Sequence, residues 1–199
     1  MENPTLQGLN VTIPYKVKII PYLDELDETA RMIGAVNTIR ISLDGGAVHT
    51  KGFNTDSPGF LNTISHIPPR VKALILGTGG AARAVAHAFK TRNISFKFVS
   101  RLSKGADTIH YDDLEPGLFQ DYRMIVNTTP LGMFPDTGTC APIPYQLLTP
   151  DHVVYDLVYN PEETTFLRHA RLMHAQTING MQMLINQAEY SFKIMTGKP

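Results

Sequence analysis

Val71-Lys72-Ala73-Leu74-Ile75-Leu76-Gly77-Thr78-Gly79-Gly80-Ala81-Ala82-Arg83-Ala84-Val85 decides the fold. The apolar run from Val71 to Leu76 reads as a strand buried on both faces. Glycines end it, a helix-forming stretch runs from about Ala81 to Thr91, and Phe96 to Val99 is a second strand. Residues 71 to 101 therefore form a β-α-β unit. Gly77, Gly79 and Ala82 fit the pattern G-x-G-x-x-G/A, in which each position has its own task. Gly77 permits the tight turn out of the strand, Gly79 lets a pyrophosphate approach the backbone, and Ala82 lets helix and strand pack closely. Free N–H groups and a partial positive charge at the helix start then face the phosphates. A bare glycine-rich turn with no ligand is the plainer alternative. The strand before it and the helix after it are the context that favours a dinucleotide.

The end of the second strand bears on which dinucleotide. Units that bind NAD place Asp or Glu about 20 residues on, against the ribose 2′-hydroxyl. Here Phe96-Lys97-Phe98-Val99 runs into Ser100-Arg101, with no carboxylate. A guanidinium suits a 2′-phosphate through bidentate, charge-assisted hydrogen bonds, so the reading is NADP, with Lys104 as a second charge. A solvated Arg at a strand end is the alternative.

Working outward, Met124 to Val126 and Val153 to Val158 are further apolar runs separated by helix-length segments. This rhythm predicts α/β architecture with a doubly wound parallel sheet, a Rossmann NADP domain over residues 66–179. Pro68-Pro69 marks its start. Upstream, Leu9 to Ile13 is a short apolar run ended by Pro14, and Tyr15 to Leu23 reads as a helix limited by Pro21. Asp27 caps a second helix to Ile33. Val36 to Ser42 and Ala47 to Phe53 read as strands around the turn Asp44-Gly45-Gly46. Asp56-Ser57-Pro58 opens another helix, with Asp56 as its cap. Residues 1–65 are thus an incomplete α/β substrate-binding domain, completed by the C-terminal helix in 180–199. In that helix, Met181, Met183, Leu184, Ile185, Phe192 and Met195 read as a core stripe.

Composition narrows the partners. The 199 residues balance 18 Lys+Arg against 18 Asp+Glu, so no basic footprint for nucleic acid or a membrane surface exists. No apolar run approaches the ~20 residues that span a bilayer, and Met1-Glu2-Asn3-Pro4 lacks the features of a signal peptide. Cys140 is the single cysteine, which suits a reducing cytoplasm. It sits in a Pro-rich loop with no evident partner for nucleophilic chemistry. The seven histidines show no ligand spacing, so no metal is expected.

Two polar groups stand out as candidate chemistry, Lys16 and Asp56. Hydride transfer to a carbonyl leaves an alkoxide that must gain a proton, which a positioned Lys or Asp can supply. Both also suit plainer roles, Lys16 as an exposed helix lysine and Asp56 as a helix cap.

Gly8-Leu9-Asn10-Val11-Thr12-Ile13-Pro14-Tyr15-Lys16 closely resembles the G-x-N-V-T-x-P-x-K signature of the shikimate dehydrogenase family. Further segments resemble the family in the same order: Ile33 to Thr38, Gly52 to Gly59, Gly77 to Ala82, Asn127 to Met133, Tyr155 to Tyr159 and Gly180 to Ala188. The resemblance implies reversible NADP-dependent reduction of 3-dehydroshikimate to shikimate, a step of aromatic amino-acid and chorismate biosynthesis, in a monomer or homodimer. It implies that Lys16 and Asp56 are the acid/base pair, and that Asn10, Thr12, Asn37, Asp56, Tyr159 and Gln187 contact the substrate. Gly77, Gly79, Gly80, Ala81, Ser100, Arg101, Thr128, Met133, Val158 and Gly180 would lie along the dinucleotide.

The sequence also departs from the family. The resemblance starts part-way into the family's first domain, and the Ser-x-Ser motif that grips the substrate carboxylate occurs nowhere in the chain. A fragment, or a segment supplied by a partner, is one expectation, with an uncovered sheet edge as its consequence. Ser100-Arg101-Leu102 replaces the family's Asn-Arg-Thr. Two rivals stay open: a quinate/shikimate dehydrogenase that uses NAD, and a dinucleotide-binding module without catalysis.

Overall fold

Ala73 and Ile75 face one way and Leu74 and Leu76 the other, and all four are fully buried. That double burial fixes the centre of the molecule. The computed structural model describes residues 6–68, 70–102, 105 and 107–198. The expectations for Met1 to Pro4, Pro69 and Lys104 lie outside the described residues.

Among the described residues, ten strands form two sheets. The smaller has β1 (Gly8–Asn10), β2 (Glu25–Leu26), β3 (Thr38–Asp44) and β4 (Ala47–Phe53), in the order β1-β3-β4-β2. The larger has β5 (Ala73–Leu76), β6 (Phe96–Ser100), β7 (Thr108–His110), β8 (Met124–Asn127), β9 (Val153–Asp156) and β10 (Gln176–Ile178), in the order β10-β9-β8-β5-β6-β7. Every pair in it is parallel. The order reverses between β5 and β8, which opens a crevice beyond their carboxyl ends. Register pairs Leu76 with Asn127 and Asn127 with Asp156, so these ends lie level.

Helices α1 (Glu28–Ile33), α2 (Asp56–Thr63), α3 (Gly80–Thr91), α4 (Pro116–Asp121), α5 (Thr165–Leu172) and α6 (Met181–Thr196) complete the chain. One core joins α2, α3 and the large sheet through Phe60, Ile64, Phe89, Ile75 and Tyr155. The opposite face packs Leu74, Leu76, Ile125 and Val154 on Phe119 and Phe166. Phe60 meets Phe89 and Tyr155 edge-on at 5.6 and 5.1 Å. Phe60→Ala is expected to cost about 3–5 kcal/mol of unfolding free energy, measured by denaturant titration. A loss within 1 kcal/mol or so would show that the site collapses around the void.

The small sheet has a thinner core of Ala30, Val36 and Ile39. Its edge strand β1 leaves Leu9 half exposed, and Ile13 and Tyr15 lie open beside it.

Four expectations need correction. Tyr15 to Leu23 is a series of turns ending in a single 3-10 turn, Ile20–Tyr22. Pro21 has no N–H, and the Lys16 carbonyl accepts from Val36 N–H, just before β3, instead of from its own turn. Asp56 is not a cap: Thr55 holds that place without a capping side-chain bond, and Asn54 Oδ1 accepts from Ser57 N–H. The stripe on α6 is not a core stripe either. Met183 is buried, but Met181, Ile185 and Phe192 are exposed. The face turned inward is Met183, Gln187 and Ser191, spaced by four, and is largely polar. The run from Val153 continues as strand only to Asp156, because the Asp156 side chain takes the Val158 N–H.

Candidate active site

The site begins with two turns that bring residues from opposite sheets together. Gly77 has φ +108°, which lets the chain leave β5 and enter α3 at once. The N-terminus of α3 then faces the turn after β1. A methyl group on Gly80 would sit 3.0 Å from Lys16 Cβ, so only a glycine lets the lysine stem rest on the helix start without displacement.

Lys16 Nζ donates to Asp56 Oδ2 at 2.6 Å, with only 15% and 6% of the two side chains exposed. The Asp56 Oδ1 atom accepts from Asn37 Nδ2 at 3.0 Å. Asn37 Oδ1 accepts from Thr55 N–H at 2.7 Å, and Asn37 Nδ2 also lies 3.3 Å from Gln187 Oε1. Behind them Ser191 Oγ joins Thr38 and Thr55 at 2.6 and 2.9 Å. Buried polar groups are thus satisfied by one another. The dyad residues lie 40 positions apart, and Gln187 is 150 from Asn37.

Two cavities meet here. The first, about 420 Å³, is lined by Asn10, Thr12, Lys16, Asn37, Asp56, Tyr159 and Gln187, the whole set expected to face substrate. Ala81, Thr128, Met133, Val158 and Gly180 also line it. The second, about 570 Å³, is lined by Gly77, Gly79, Gly80, Ala81, Arg101 and Thr128, with Ile13, Pro14 and Tyr111 across from them. Lys16, Ala81 and Thr128 belong to both. The two spaces therefore abut at the lysine.

Ser100 is the exception. It lines neither cavity, and its Oγ accepts from Leu102 N–H, closing the turn behind Arg101. The second cavity fits the dinucleotide reading on its own chemistry. It has an open approach at Gly79, helix amides at one end and Arg101 at the other. Among the described residues that line it, none is a carboxylate.

Several contributors were not apparent from sequence. Thr55 lay inside the Gly52 to Gly59 resemblance but was given no role, and Ser191 gave no motif signal. Tyr111 lies in a segment with no clear periodicity, and burial pushes its hydroxyl up to about 12. The segments at the ends of β8 and β9 were matched by resemblance, but Asn127 and Asp156 were given no role. Asp156, fully buried, is pushed up to about 6 by burial, against hydrogen bonds from Thr164, Val158 and Asn127. The sign follows from that rise. The ionised carboxylate costs stability above about pH 6, and the cost fades as pH falls toward the ordinary value of 3.8. A carboxylate ending a parallel strand beside a crevice was the available signal. Elsewhere, Cys140 Sγ lies 4.0 Å from His169 Nδ1, a partner that the sequence did not suggest. Among the described residues no three His, Cys, Asp or Glu side chains lie together as metal ligands, and no helix is long and apolar enough to cross a membrane.

Comparison with known proteins gives one consistent result. The family described as shikimate dehydrogenase substrate binding domain matches residues 1–39. The shikimate dehydrogenase (NADP(+)) of Methanosphaera stadtmanae is 38% identical over 97% of this chain and 73% of its own length. That of Methanococcus maripaludis strain C7 is 41% identical over 96% and 72%. Among solved structures, shikimate 5-dehydrogenase from Thermus thermophilus in complex with NADP(H) and shikimate superposes with a TM-score of 0.83 at 32% identity, covering 98% of this chain and 75% of that one. Quinate dehydrogenase from Corynebacterium glutamicum in complex with NAD gives 0.80 at 31%, covering 96% and 73%.

Proposed function

This chain belongs to the shikimate dehydrogenase family, and from that premise we propose how its residues divide the work of the reaction. The function is that of an NADP-dependent oxidoreductase, the reversible reduction of 3-dehydroshikimate to shikimate in aromatic amino-acid biosynthesis. The observation that carries the residue assignments is the Lys16–Asp56 pair at the point where two cavities abut.

In this reading residues 1–65 and α6 form the substrate lobe, and residues 66–179 form the NADP lobe. Gly77, Gly79, Gly80 and Ala81 hold the phosphates, and Arg101 holds the 2′-phosphate. Thr128, Met133, Val158 and Gly180 would hold the reacting end of the dinucleotide. The bound dinucleotide supplies or removes the hydride. Lys16 Nζ gives a proton to the substrate oxygen during reduction and takes it back in the reverse direction. Asp56 keeps the ammonium aimed, and Asn37 keeps Asp56 aimed. Asn10, Thr12, Asn37, Tyr159 and Gln187 replace the water that the substrate hydroxyls give up, since each buried hydroxyl needs a partner. A lone cysteine supports a reducing compartment, and a monomer or homodimer is the assembly we infer.

The test is steady-state oxidation of shikimate by NADP+. No turnover from a folded chain that still binds NADP+ would sink the catalytic assignments. In the same assay Arg101→Leu is expected to raise KM for NADP+ about tenfold to a hundredfold, the loss of a charged hydrogen-bonding partner. KM for NAD+ should hardly move, because NAD+ has no 2′-phosphate. Equal losses with both cofactors would remove the phosphate role of Arg101.

A further inference from the structure

Among the described residues outside those already assigned, one buried carboxylate is not used by the chemistry. Asp156 ends β9 and has no exposed surface. Its Oδ1 accepts from Asn127 Nδ2 at 2.9 Å and from Val158 N–H at 3.1 Å, and its Oδ2 accepts from Thr164 Oγ1 at 2.6 Å. Through Asn127 the network extends one step further. Asn127 Oδ1 accepts from Thr129 N–H at 3.0 Å and from Thr129 Oγ1 at 2.6 Å.

These bonds reach both loops at the reacting end of the cleft. Thr128, Thr129, Pro130 and Met133 line the substrate cavity from one side, and Leu157, Val158 and Tyr159 from the other. Phe134 N–H donates to the Asn160 carbonyl at 3.1 Å, so the two loops are also tied directly. Asp156 lies beneath their common root and is absent from the lining of either cavity. A carboxylate with two oxygens can accept from both loops at once, and an amide can imitate most of that pattern. The partners on β8, on the turn after β9 and at the start of α5 are uncharged. Tyr145 is the titratable group whose ionisation Asp156 further opposes.

We propose that Asp156 is a positioning residue that sets loops 128–134 and 157–160 as one unit against the substrate and the reacting end of the dinucleotide. It touches neither substrate nor cofactor and acts through Asn127, Thr129 and Val158. The catalytic part of the proposal rests on the dehydrogenase reading above, and the mechanical part does not.

The experiment compares the full chain with Asp156→Ala and Asp156→Asn. Amide hydrogen exchange is followed in the free protein, NADP+ binding by calorimetry, and turnover with shikimate by steady-state kinetics. In Asp156→Ala, exchange should rise at least about tenfold in both loops and stay unchanged in 77–82. The kcat should fall about a hundredfold, as misplacement by an ångström can cost, while the NADP+ dissociation constant rises far less, because the turn 77–82 and Arg101 are untouched. Asp156→Asn should restore both the slow exchange and most of kcat. Faster exchange confined to one loop, unchanged kcat, or an Asn variant no better than Ala would overturn the proposal. If Asp156→Ala does not fold, Thr164→Val decides, since it keeps shape and removes the donor to Asp156 Oδ2 together with the cap on Leu167 N–H of α5. Faster exchange in 128–134 then supports the linkage, and none there overturns it. If the wild-type chain itself shows no turnover, exchange and NADP+ binding still judge the linkage while the dehydrogenase reading fails separately.

Discussion

Lys16→Ala is expected to lower kcat for shikimate oxidation by about 10²- to 10⁴-fold, the range of a lost general acid or base. The variant should bind NADP+ as the parent does. The geometry explains the separation. Ala at position 16 keeps the Cβ that rests on Gly80, so the start of α3 stays supported. The Val36 N–H bond to the carbonyl of residue 16 is a backbone bond and survives. What disappears is the ammonium 2.6 Å from Asp56, which leaves that carboxylate with Asn37 alone. The comparison to make is kcat from steady-state rates beside a directly measured NADP+ dissociation constant. Near-parent kcat would remove Lys16 from proton transfer. Equal losses in kcat and NADP+ affinity would mean that the lysine serves cofactor binding instead.

Gly180→Ala should be damaging in a different way. A Cβ on residue 180 would lie 2.1 Å from the Leu157 carbonyl oxygen and 2.5 Å from its carbon. Both are backbone atoms, so no side chain can swing aside. Either the turn after β9 or the first turn of α6 must move. Strain of this kind costs typically 1–3 kcal/mol, occasionally more. Gly180 N–H also donates to the Val158 carbonyl at 3.1 Å, so the clash falls on the junction between the two elements. Val158 and Gln187 line the same cavity and would be displaced relative to each other. The expected result is a lower melting temperature together with kcat/KM reduced about a hundredfold, as a displacement near 1 Å can cause. A variant with parent melting temperature and parent kcat/KM would show that the helix start absorbs the methyl group freely.

How much of this was legible in the sequence depended on the range of the physics involved. The β5–turn–α3 unit could be read because its signals are local: an apolar run, glycines at fixed offsets, then helix formers. The hairpin at Gly45-Gly46 was legible for the same reason. Short edge strands such as β1, β2 and β10 carry too few residues for an alternation to show. The turns after Ile13 were misread because Val36, twenty residues on, takes the Lys16 carbonyl. On α6 the apolar residues suggested a packed stripe, but the helix is oriented by Gln187 and Ser191 meeting Asn37, Thr38 and Thr55. Lys16 and Asp56 were nameable as candidates because hydride chemistry asks for such groups. Their contact, across 40 residues, was not. Asp156 fell within a segment that resembles the family but was assigned no role, because a buried carboxylate leaves no periodic mark.

The place of α6 has a consequence for how the chain is made. Asn37, Thr38 and Thr55 emerge before the large sheet, and Gln187 and Ser191, which satisfy them, emerge more than 130 residues later than any of the three. The large sheet lies between and can gather its own core first, strand by neighbouring strand. The small sheet cannot close over its polar interior until α6 arrives. Contacts this distant along the chain form slowly. Until they do, the nascent molecule would present a packed large sheet joined to a loose, partly hydrated small sheet. The shared wall at Lys16 would then be among the last parts of the molecule to take shape.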